Sequence, residues 1–225
     1  MSLELRLALQ EQRSADLEQR LRRLLGPFTG TEAVLDAGCG TGSVAFALAP
    51  HVAEVVGVDI RGDYLEAART AAPANVRFEE ADVTSLPFGY AEFDLVCCHR
   101  VLHHVRRPEL AVSELVRVAR SGGKLFIADQ LGSVDPLLSL EMDRFERLRD
   151  ATHQRLLPDG DIRGYLDAND LVLVSSEVTR EQVDLEERLE LAGFDEEERM
   201  RIRGPAPANP YEIEVGWYVA RKPGQ

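Results

Sequence analysis

The sequence predicts an α/β protein with a doubly wound, seven-stranded, mostly parallel sheet, an N-terminal helix and a helical insertion after strand five. Two observations support this fold class. Short apolar segments alternate with helical patterns between residues 33 and 129, which is typical of a parallel sheet with helices on both faces. Two more apolar segments follow near the end of the chain. We expect one domain, residues 1–225, with residues 1–30 as its leading helix and residues 131–168 as its insertion.

The first half of the chain supplies helices and strands in turn. Leucines recur at helical spacing over residues 5–25, and Gly26 followed by Pro27 ends that pattern. The predicted strands are residues 33–37, 55–60, 76–80, 93–99 and 124–129. The predicted helices between them are residues 43–49, 62–72 and 108–120. The last of these begins with a proline and ends before two glycines.

The second half of the chain has a different pattern. Helices are expected at residues 135–150 and 161–168, with strands at residues 171–178 and 214–221 and a further helix near residues 181–191. Residues 177–203 are rich in acidic side chains. We interpret that segment as a solvated helical face.

Composition excludes several classes of protein. The chain has 225 residues, of which 44% are hydrophobic, enough for one full-sized core. The first twenty residues interleave charges with leucines and so do not resemble a secretory signal, and no apolar run reaches the roughly 18 residues of a membrane span. The formal net charge of −13 disfavours a nucleic-acid partner.

The three cysteines, Cys39, Cys97 and Cys98, predict neither a disulfide framework nor a metal site. We expect buried thiols and a reducing, cytoplasmic location. The oligomeric state is left open by the sequence, a homodimer included.

Acidic residues close the first three predicted strands. The first runs into the glycine-rich turn DAGCGTG, residues 36–42, and the second and third are followed by Asp59 and Asp82. In open parallel sheets, ligands bind beyond the carboxyl ends of the strands. The first two glycines of the turn and an acidic residue about 20 positions later also fit a dinucleotide site. A nicotinamide dinucleotide is therefore a competing ligand.

Asp36 favours a different cofactor. A carboxylate beside the glycine turn would repel a pyrophosphate in a partly dry pocket. S-adenosylmethionine has no phosphate and carries an ammonium and a sulfonium, which a carboxylate would help to hold, directly or through water. The start of the next helix would favour its carboxylate. Asp82 could accept a hydrogen bond from the adenine amine while the Val83 N–H donates to a ring nitrogen.

These motifs resemble those of class I S-adenosylmethionine-dependent methyltransferases. The matching segments are VLDAGCGTG, VVGVDI, EEADVTSLPF, FDLVCCHRVLHHV and VARSGGKLFIADQ. The small-molecule enzymes grouped with the ubiquinone and menaquinone biosynthesis C-methyltransferases are the most similar group. Later in the chain, FERLRDATHQR resembles one bacterial subgroup of that class. The resemblance implies a Rossmann-like methyltransferase fold and S-adenosyl-L-methionine as cofactor.

The resemblance also implies roles for individual residues. The methionine part of the cofactor would be lined by the turn residues Ala37, Gly38, Gly40 and Gly42, together with Asp36. Asp59 would bind the ribose, Ile60 would pack on the adenine, and Asp82 and Val83 would read its edge. His99 would lie near the methionine. A DPPY-like or NPPY-like motif is missing after strand four, which argues against methylation of amino groups on nucleobases or glutamine.

Candidates for acid–base work and substrate binding follow strand four and lie in the insertion. His103 and His104 are candidates for a general base or for positioning the acceptor, and Arg100 is a candidate substrate contact. In the insertion, Arg149 and His153 would hold an anionic or phenolic substrate, together with Asp150 and Arg155. The structural alternative is a turn cap for the histidines and a local salt-bridge network for the insertion.

The sequence thus predicts transfer of a methyl group to a small-molecule acceptor by in-line displacement. Two alternatives remain, an NAD-dependent oxidoreductase and a non-catalytic S-adenosylmethionine-binding protein. The acceptor, and whether its O, N or C atom is methylated, is not predicted.

Overall fold

The computed structural model describes residues 3–207 and 209–224. Its seven strands are β1 (Ala33–Ala37), β2 (Glu54–Asp59), β3 (Val76–Glu80), β4 (Phe93–His99), β5 (Ala119–Gln130), β6 (Val172–Val183) and β7 (Tyr211–Arg221). Its α-helices are α1 (Leu3–Leu25), α2 (Ser43–Leu48), α3 (Gly62–Ala71), α4 (Pro108–Val118), α5 (Pro136–Arg149), α6 (Asp159–Ala168), α7 (Leu185–Leu191) and α8 (Glu196–Arg203).

The strands form one sheet in the order β3-β2-β1-β4-β5-β7-β6. The first five strands are parallel, and β7 runs antiparallel to both β5 and β6. The order reverses direction at β1, so the carboxyl ends of β1 and β4 flank the crevice in which such sheets bind ligands. The predicted fold class is confirmed.

Each face of the sheet carries its own apolar layer. Leu17, Leu21 and Leu25 are spaced by four residues on α1 and are buried against one face. The side chains of Leu5 and Leu9, part of the same predicted pattern, lie outside the described residues. Helices α4 and α6 pack on the opposite face. The described residues include no helix long and apolar enough to cross a bilayer.

The prediction for residues 177–203 was partly wrong. The predicted helix near residues 181–191 begins only at Leu185, because Glu181 to Val183 continue β6 and pair with β7 through Val183 and Tyr211. Asp184 starts α7 by accepting hydrogen bonds from the N–H groups of Glu186 and Glu187. A separate helix, α8, follows with a capping box between Asp195 and Glu198.

Strand β5 also begins earlier than predicted, at Ala119, and α4 ends at Val118. The predicted helix 108–120 therefore overran by two residues. Ile60, predicted as the end of strand two, lies just beyond β2 and is 67% exposed. The three cysteines are buried, as expected, whereas the reducing compartment stays a prediction.

Candidate active site

A cavity of about 450 Å³ opens at the carboxyl edge of the sheet. Nine of the residues singled out from the sequence line it: Gly38, Gly40, Asp59, Ile60, Asp82, Val83, Arg100, His104 and Asp150. Asp36, Ala37, Gly42, His99, His103, Arg149 and His153 are not among the residues that line it. The insertion contributes Asp150 and Thr152 to the wall.

The glycine turn is shaped by its contacts with β2 and with the segment after β4. Gly38 has a φ of 75°, and a Cβ atom there would overlap the Val101 side chain. Only glycine therefore fits without displacing Val101. The N–H of Gly40 donates to Asp59 Oδ2 at 2.8 Å, and the N–H of Arg61 donates to Asp59 Oδ1 at 2.9 Å. Asp59 thus fixes the loops after β1 and β2 relative to each other.

Asp82 is held in a similar way. Its Oδ1 atom accepts hydrogen bonds from the Thr84 N–H at 2.8 Å and from the Thr84 hydroxyl at 2.7 Å. Within the described ranges its Oδ2 atom accepts none. Asp59 and Asp82, which both line the cavity, therefore keep acceptor capacity for a ligand.

Asp36 lies beneath the turn rather than in the cavity wall. It is 1% exposed, and its Oδ2 atom accepts a hydrogen bond from the Ala45 N–H in the first turn of α2 at 3.0 Å. The Asp36 carboxylate therefore lies at the start of α2, where we had expected the carboxylate of S-adenosylmethionine. Its negative charge still lies under the glycine turn.

His99 lies on the face of the sheet covered by α1. Its ring is 5.6 Å from the ring of Trp217 and 6.5 Å from that of Phe126, measured between centroids. The structure therefore surrounds His99 with aromatic rings and does not bring it into the cavity wall.

His103 forms a pair with Asp129 at the end of β5. The His103 Nδ1 atom contacts Asp129 Oδ1, and the His103 backbone N–H donates to Asp129 Oδ2 at 3.1 Å. Asp129 is 1% exposed. Burial alone would raise the pKa of Asp129, but the charge of His103 and these hydrogen bonds outweigh it and hold that pKa below its usual range. Asp129 is thus an ionised partner for His103.

His104 is bound to the insertion through Thr152. The Thr152 hydroxyl donates to Asp150 Oδ1 at 2.7 Å and lies 3.0 Å from His104 Nδ1. Because that hydroxyl has a single proton, His104 Nδ1 must be the donor to Thr152, which leaves Nε2 without a proton. Burial, and next the charge of His103, lower the pKa of His104 to about 4. His104 is therefore neutral at pH 7.

Two buried pairs hold the insertion. The His153 Nε2 atom lies 2.8 Å from Asp143 Oδ1, and the rings of His153 and His103 are 5.7 Å apart. Arg149 forms an ion pair with Glu146, which also accepts a hydrogen bond from Gln130 at 3.2 Å. These contacts fit the local network that the sequence had left as an alternative. Arg155 is more exposed and bonds to Asp161 and Tyr165.

Arg100 lies at the end of β4 with a φ of 57°. Its guanidinium reaches Glu181 on β6 at 2.6 Å, and both side chains are largely buried. The left-handed backbone turns the chain from β4 into residues 102–104, where His103 and His104 follow. Arg100 therefore contributes to the cavity wall, and its charge is paired with Glu181 on β6.

Sequence analysis missed four residues of this arrangement: Asp129, Asp143, Glu146 and Thr152. Asp129 had a usable signal, since it is an acidic residue at the end of the predicted strand 124–129. The other three lie on the insertion, where no strand pairing could have placed them opposite the histidines.

The residues present fit the nucleoside part of S-adenosylmethionine. Each oxygen of Asp59 holds one backbone N–H and retains a lone pair for a ribose hydroxyl. Asp82 and Val83 lie in the cavity wall after β3. Four carboxylates lie at or beneath the cavity wall, Asp36, Asp59, Asp82 and Asp150, and four arginines line the cavity as well, Arg61, Arg100, Arg106 and Arg107.

Comparisons with known proteins find similarity to methyltransferases. Residues 35–127 match the family described as a methyltransferase domain. The uncharacterized methyltransferase YcgJ of Bacillus subtilis is 36% identical over 126 residues, which are 54% of this chain and 50% of YcgJ. A ubiquinone biosynthesis O-methyltransferase of Coxiella burnetii is 34% identical over 98 residues, 42% of each chain. This chain thus spans half or less of the length of these curated relatives.

The fold comparison covers more of the chain. BH2331 of Bacillus halodurans, a protein assigned to the methyltransferases, matches with a TM-score of 0.82 and 25% identity over 94% of this chain and 99% of that one. The chain therefore shares the fold of this structure over nearly its whole length. Residues 35–127 are thus similar to a methyltransferase domain, and the solved structures of similar fold include an S-adenosylmethionine-dependent methyltransferase of Mesorhizobium loti, with a TM-score of 0.64 and 17% identity.

Proposed function

We propose that this chain transfers the methyl group of S-adenosylmethionine to a small-molecule acceptor by in-line attack on the methyl carbon. One observation carries the proposal. The short segment Leu102–His104 joins the cavity, through His104, to the His103–Asp129 pair. A residue of the cavity wall, His104, and a group able to take a proton, His103, are thus neighbours in the chain.

The geometry supports the following cofactor roles. Gly38 and Gly40, with Ala37 and Gly42 beside them, form the turn for the methionine part. Asp59 binds the ribose, and Asp36 supports the turn by capping α2. Ile60 packs on the adenine, and Asp82 and Val83 read its edge. His99 packs beside Trp217 and Phe126 on the face of the sheet covered by α1.

His103 is the better of the two candidate bases. The bound sulfonium supplies the methyl group together with its leaving group, so the protein need only align the acceptor and remove a proton where one is lost. Asp129 holds the Nδ1–H of His103, which leaves Nε2 to accept that proton. His104, with its pKa lowered to about 4, is a weak base at neutral pH. We therefore favour a hydroxyl acceptor, in line with the name of the Coxiella relative.

The remaining candidates support the site. Arg149 and His153 are paired with Glu146 and Asp143 and hold the insertion over residues 102–104. Arg100 is paired with Glu181 and forms part of the wall. The net charge of −13 supports a small molecule rather than a nucleic acid as partner.

The direct test is formation of S-adenosylhomocysteine from S-adenosylmethionine in the presence of defined acceptors. Matched sets of phenols, quinols and aliphatic amines are incubated with the full chain, and product is compared with the rate without acceptor. We expect turnover with one of the hydroxyl sets. Binding of S-adenosylhomocysteine without turnover on any set would contradict methyl transfer and favour a non-catalytic binding protein.

A further inference from the structure

The insertion contacts His103 along its main chain as well as at its ring. The carbonyl oxygen of His103 accepts hydrogen bonds from the N–H groups of Gln154 at 2.9 Å and Arg155 at 3.3 Å. The N–H of His103 donates to Asp129 Oδ2 at 3.1 Å. Both polar groups of the His103 main chain are therefore bonded, one to β5 and the other to the insertion.

Asp143, on α5, holds the insertion at two points on either side of these bonds. Its Oδ1 atom lies 2.8 Å from His153 Nε2 and accepts a hydrogen bond from the Leu156 N–H at 2.7 Å. The two N–H groups that bond to His103 lie between those points in the chain. One carboxylate oxygen thus fixes residues 153–156, whose main chain holds His103.

These contacts are buried, so their loss would not be compensated by water. Asp143 is 6% exposed, and His153 is 4% exposed. The ring of His153 lies 5.7 Å from the ring of His103, measured between centroids. Without Asp143 the Leu156 N–H would be buried without its acceptor, which is unfavourable. The segment would therefore rearrange, and His103 would lose its support on that side.

Asp143 can act on the reaction only through the residues it holds. Neither Asp143 nor His153 is among the residues that line the cavity. The second oxygen of Asp143, Oδ2, lies 4.0 Å from Nη2 of the exposed Arg147. The carboxylate is therefore directed at the insertion and not at a bound ligand.

We propose that Asp143 is a positioning residue for His103. It fixes residues 153–156, and these hold the His103 carbonyl so that the ring keeps the orientation in which Asp129 bonds to it. This inference rests on the proposed function, because His103 is the group that takes the proton there. It gives the insertion a role in catalysis without contact between Asp143 and the substrate.

Variants of the full chain test this role with the acceptor that gives turnover. Asp143→Ala removes both contacts, whereas Asp143→Asn keeps an Oδ1 atom able to accept both hydrogen bonds. His153→Ala breaks one of the two contacts and provides the same test if Asp143→Ala does not fold. Glu141→Gln changes an exposed carboxylate on the same helix and is the matched control.

We expect Asp143→Ala to lower kcat about tenfold, because a displaced base is less effective, with KM for S-adenosylmethionine within twofold. Asp143→Asn should recover most of that loss, His153→Ala should lower kcat in the same direction, and Glu141→Gln should have no effect. In a chain that already carries His103→Ala, adding Asp143→Ala should lower kcat less than twofold, because the ring it positions is gone.

Two kinetic results would overturn the inference. One is an unchanged kcat in Asp143→Ala or, if that variant does not fold, in His153→Ala. The other is an equal loss with and without His103, which would show a structural role that does not act through His103.

NMR of the chain labelled with ¹⁵N-histidine separates this inference from the proposed function. The ring nitrogen signals report the tautomer of His103 whether or not turnover occurs. We expect the Nδ1–H tautomer in the unaltered chain and in Glu141→Gln, and exchange between the two tautomers in Asp143→Ala. A His103 ring that keeps the Nδ1–H tautomer in Asp143→Ala would overturn the inference. If the unaltered chain methylates no acceptor, the proposed function fails, and this spectrum still decides whether Asp143 positions His103.

Discussion

The His103 Nδ1 atom contacts the carboxylate of Asp129, whose other oxygen accepts the His103 backbone N–H at 3.1 Å. One carboxylate thus holds both the ring and the main chain of His103. The two residues are 26 positions apart and meet because β4 and β5 are parallel neighbours. This arrangement fixes the ring in one orientation and one tautomer.

Replacing His103 should slow turnover without loss of cofactor binding. For His103→Ala we expect kcat to fall by roughly 10²–10⁴-fold, the usual contribution of a general base, while affinity for S-adenosylhomocysteine changes less than twofold. Asp129→Asn should also lower kcat, and the double variant should lose less than the product of the two effects, because the pair acts as a unit. His51→Ala, far from the cavity, is the control. Unchanged kcat in His103→Ala would exclude it as the base.

Replacing Asp59 should weaken cofactor binding. Asp59→Ala removes the ribose acceptors and the hydrogen bonds to the N–H groups of Gly40 and Arg61. We expect at least a tenfold loss of affinity for S-adenosylhomocysteine, measured by calorimetry. Asp63→Ala, an exposed carboxylate four residues later, should have little effect. An affinity for the Asp59 variant equal to that of the unaltered chain would refute the ribose assignment.

Stability should fall on mild acidification because of His104. Burial lowers its pKa from 6.5 to about 4 in the folded chain, so below pH 6.5 the unfolded state binds a proton that the folded state does not. Its contribution is therefore complete above pH 6.5 and is lost as the pH falls toward 4. At pH 5 the loss is about 2 kcal/mol.

Urea unfolding at pH 7.5 and pH 5.0 measures this loss. His104→Gln should lose less stability between these values than the unaltered chain, by about 2 kcal/mol, and His51→Gln should behave as the unaltered chain. An identical pH dependence in the His104 variant would contradict the prediction.

Two tyrosines of β7 should respond oppositely to loss of their hydroxyl. Tyr211 is 8% exposed, and its hydroxyl has no hydrogen-bond partner in the described part of the chain. Tyr218 donates to Asp159 Oδ1 at 2.6 Å. Because an unpaired buried hydroxyl is unfavourable, Tyr211→Phe should raise the free energy of unfolding by about 1 kcal/mol. Tyr218→Phe should lower it by about 1–2 kcal/mol. Destabilisation by Tyr211→Phe would show that its hydroxyl is paired.

The sequence predicted the sheet well and the site in part. Strands such as β1 and β4 are short, apolar and bounded by turn residues, so their bounds were predicted from local pattern alone. β6 was cut short because its exposed positions carry Glu and Arg, which also suit a helix, and only pairing with β7 decides between them. The contacts of Asp129 with His103 and of Thr152 with His104 likewise join residues far apart in the chain, so local pattern does not predict them. Asp36 lies under α2 because its carboxylate accepts a hydrogen bond from the Ala45 N–H, and the spacing of residues in the sequence does not show that contact.

The central claim is that the cavity at the carboxyl edge of the sheet binds S-adenosylmethionine and not a dinucleotide. Calorimetric titration of the full chain with S-adenosylhomocysteine and with NADH tests it most directly. We predict one-to-one binding of S-adenosylhomocysteine in the micromolar range and no heat of binding with NADH. Binding of NADH, or no binding of S-adenosylhomocysteine, would contradict the claim.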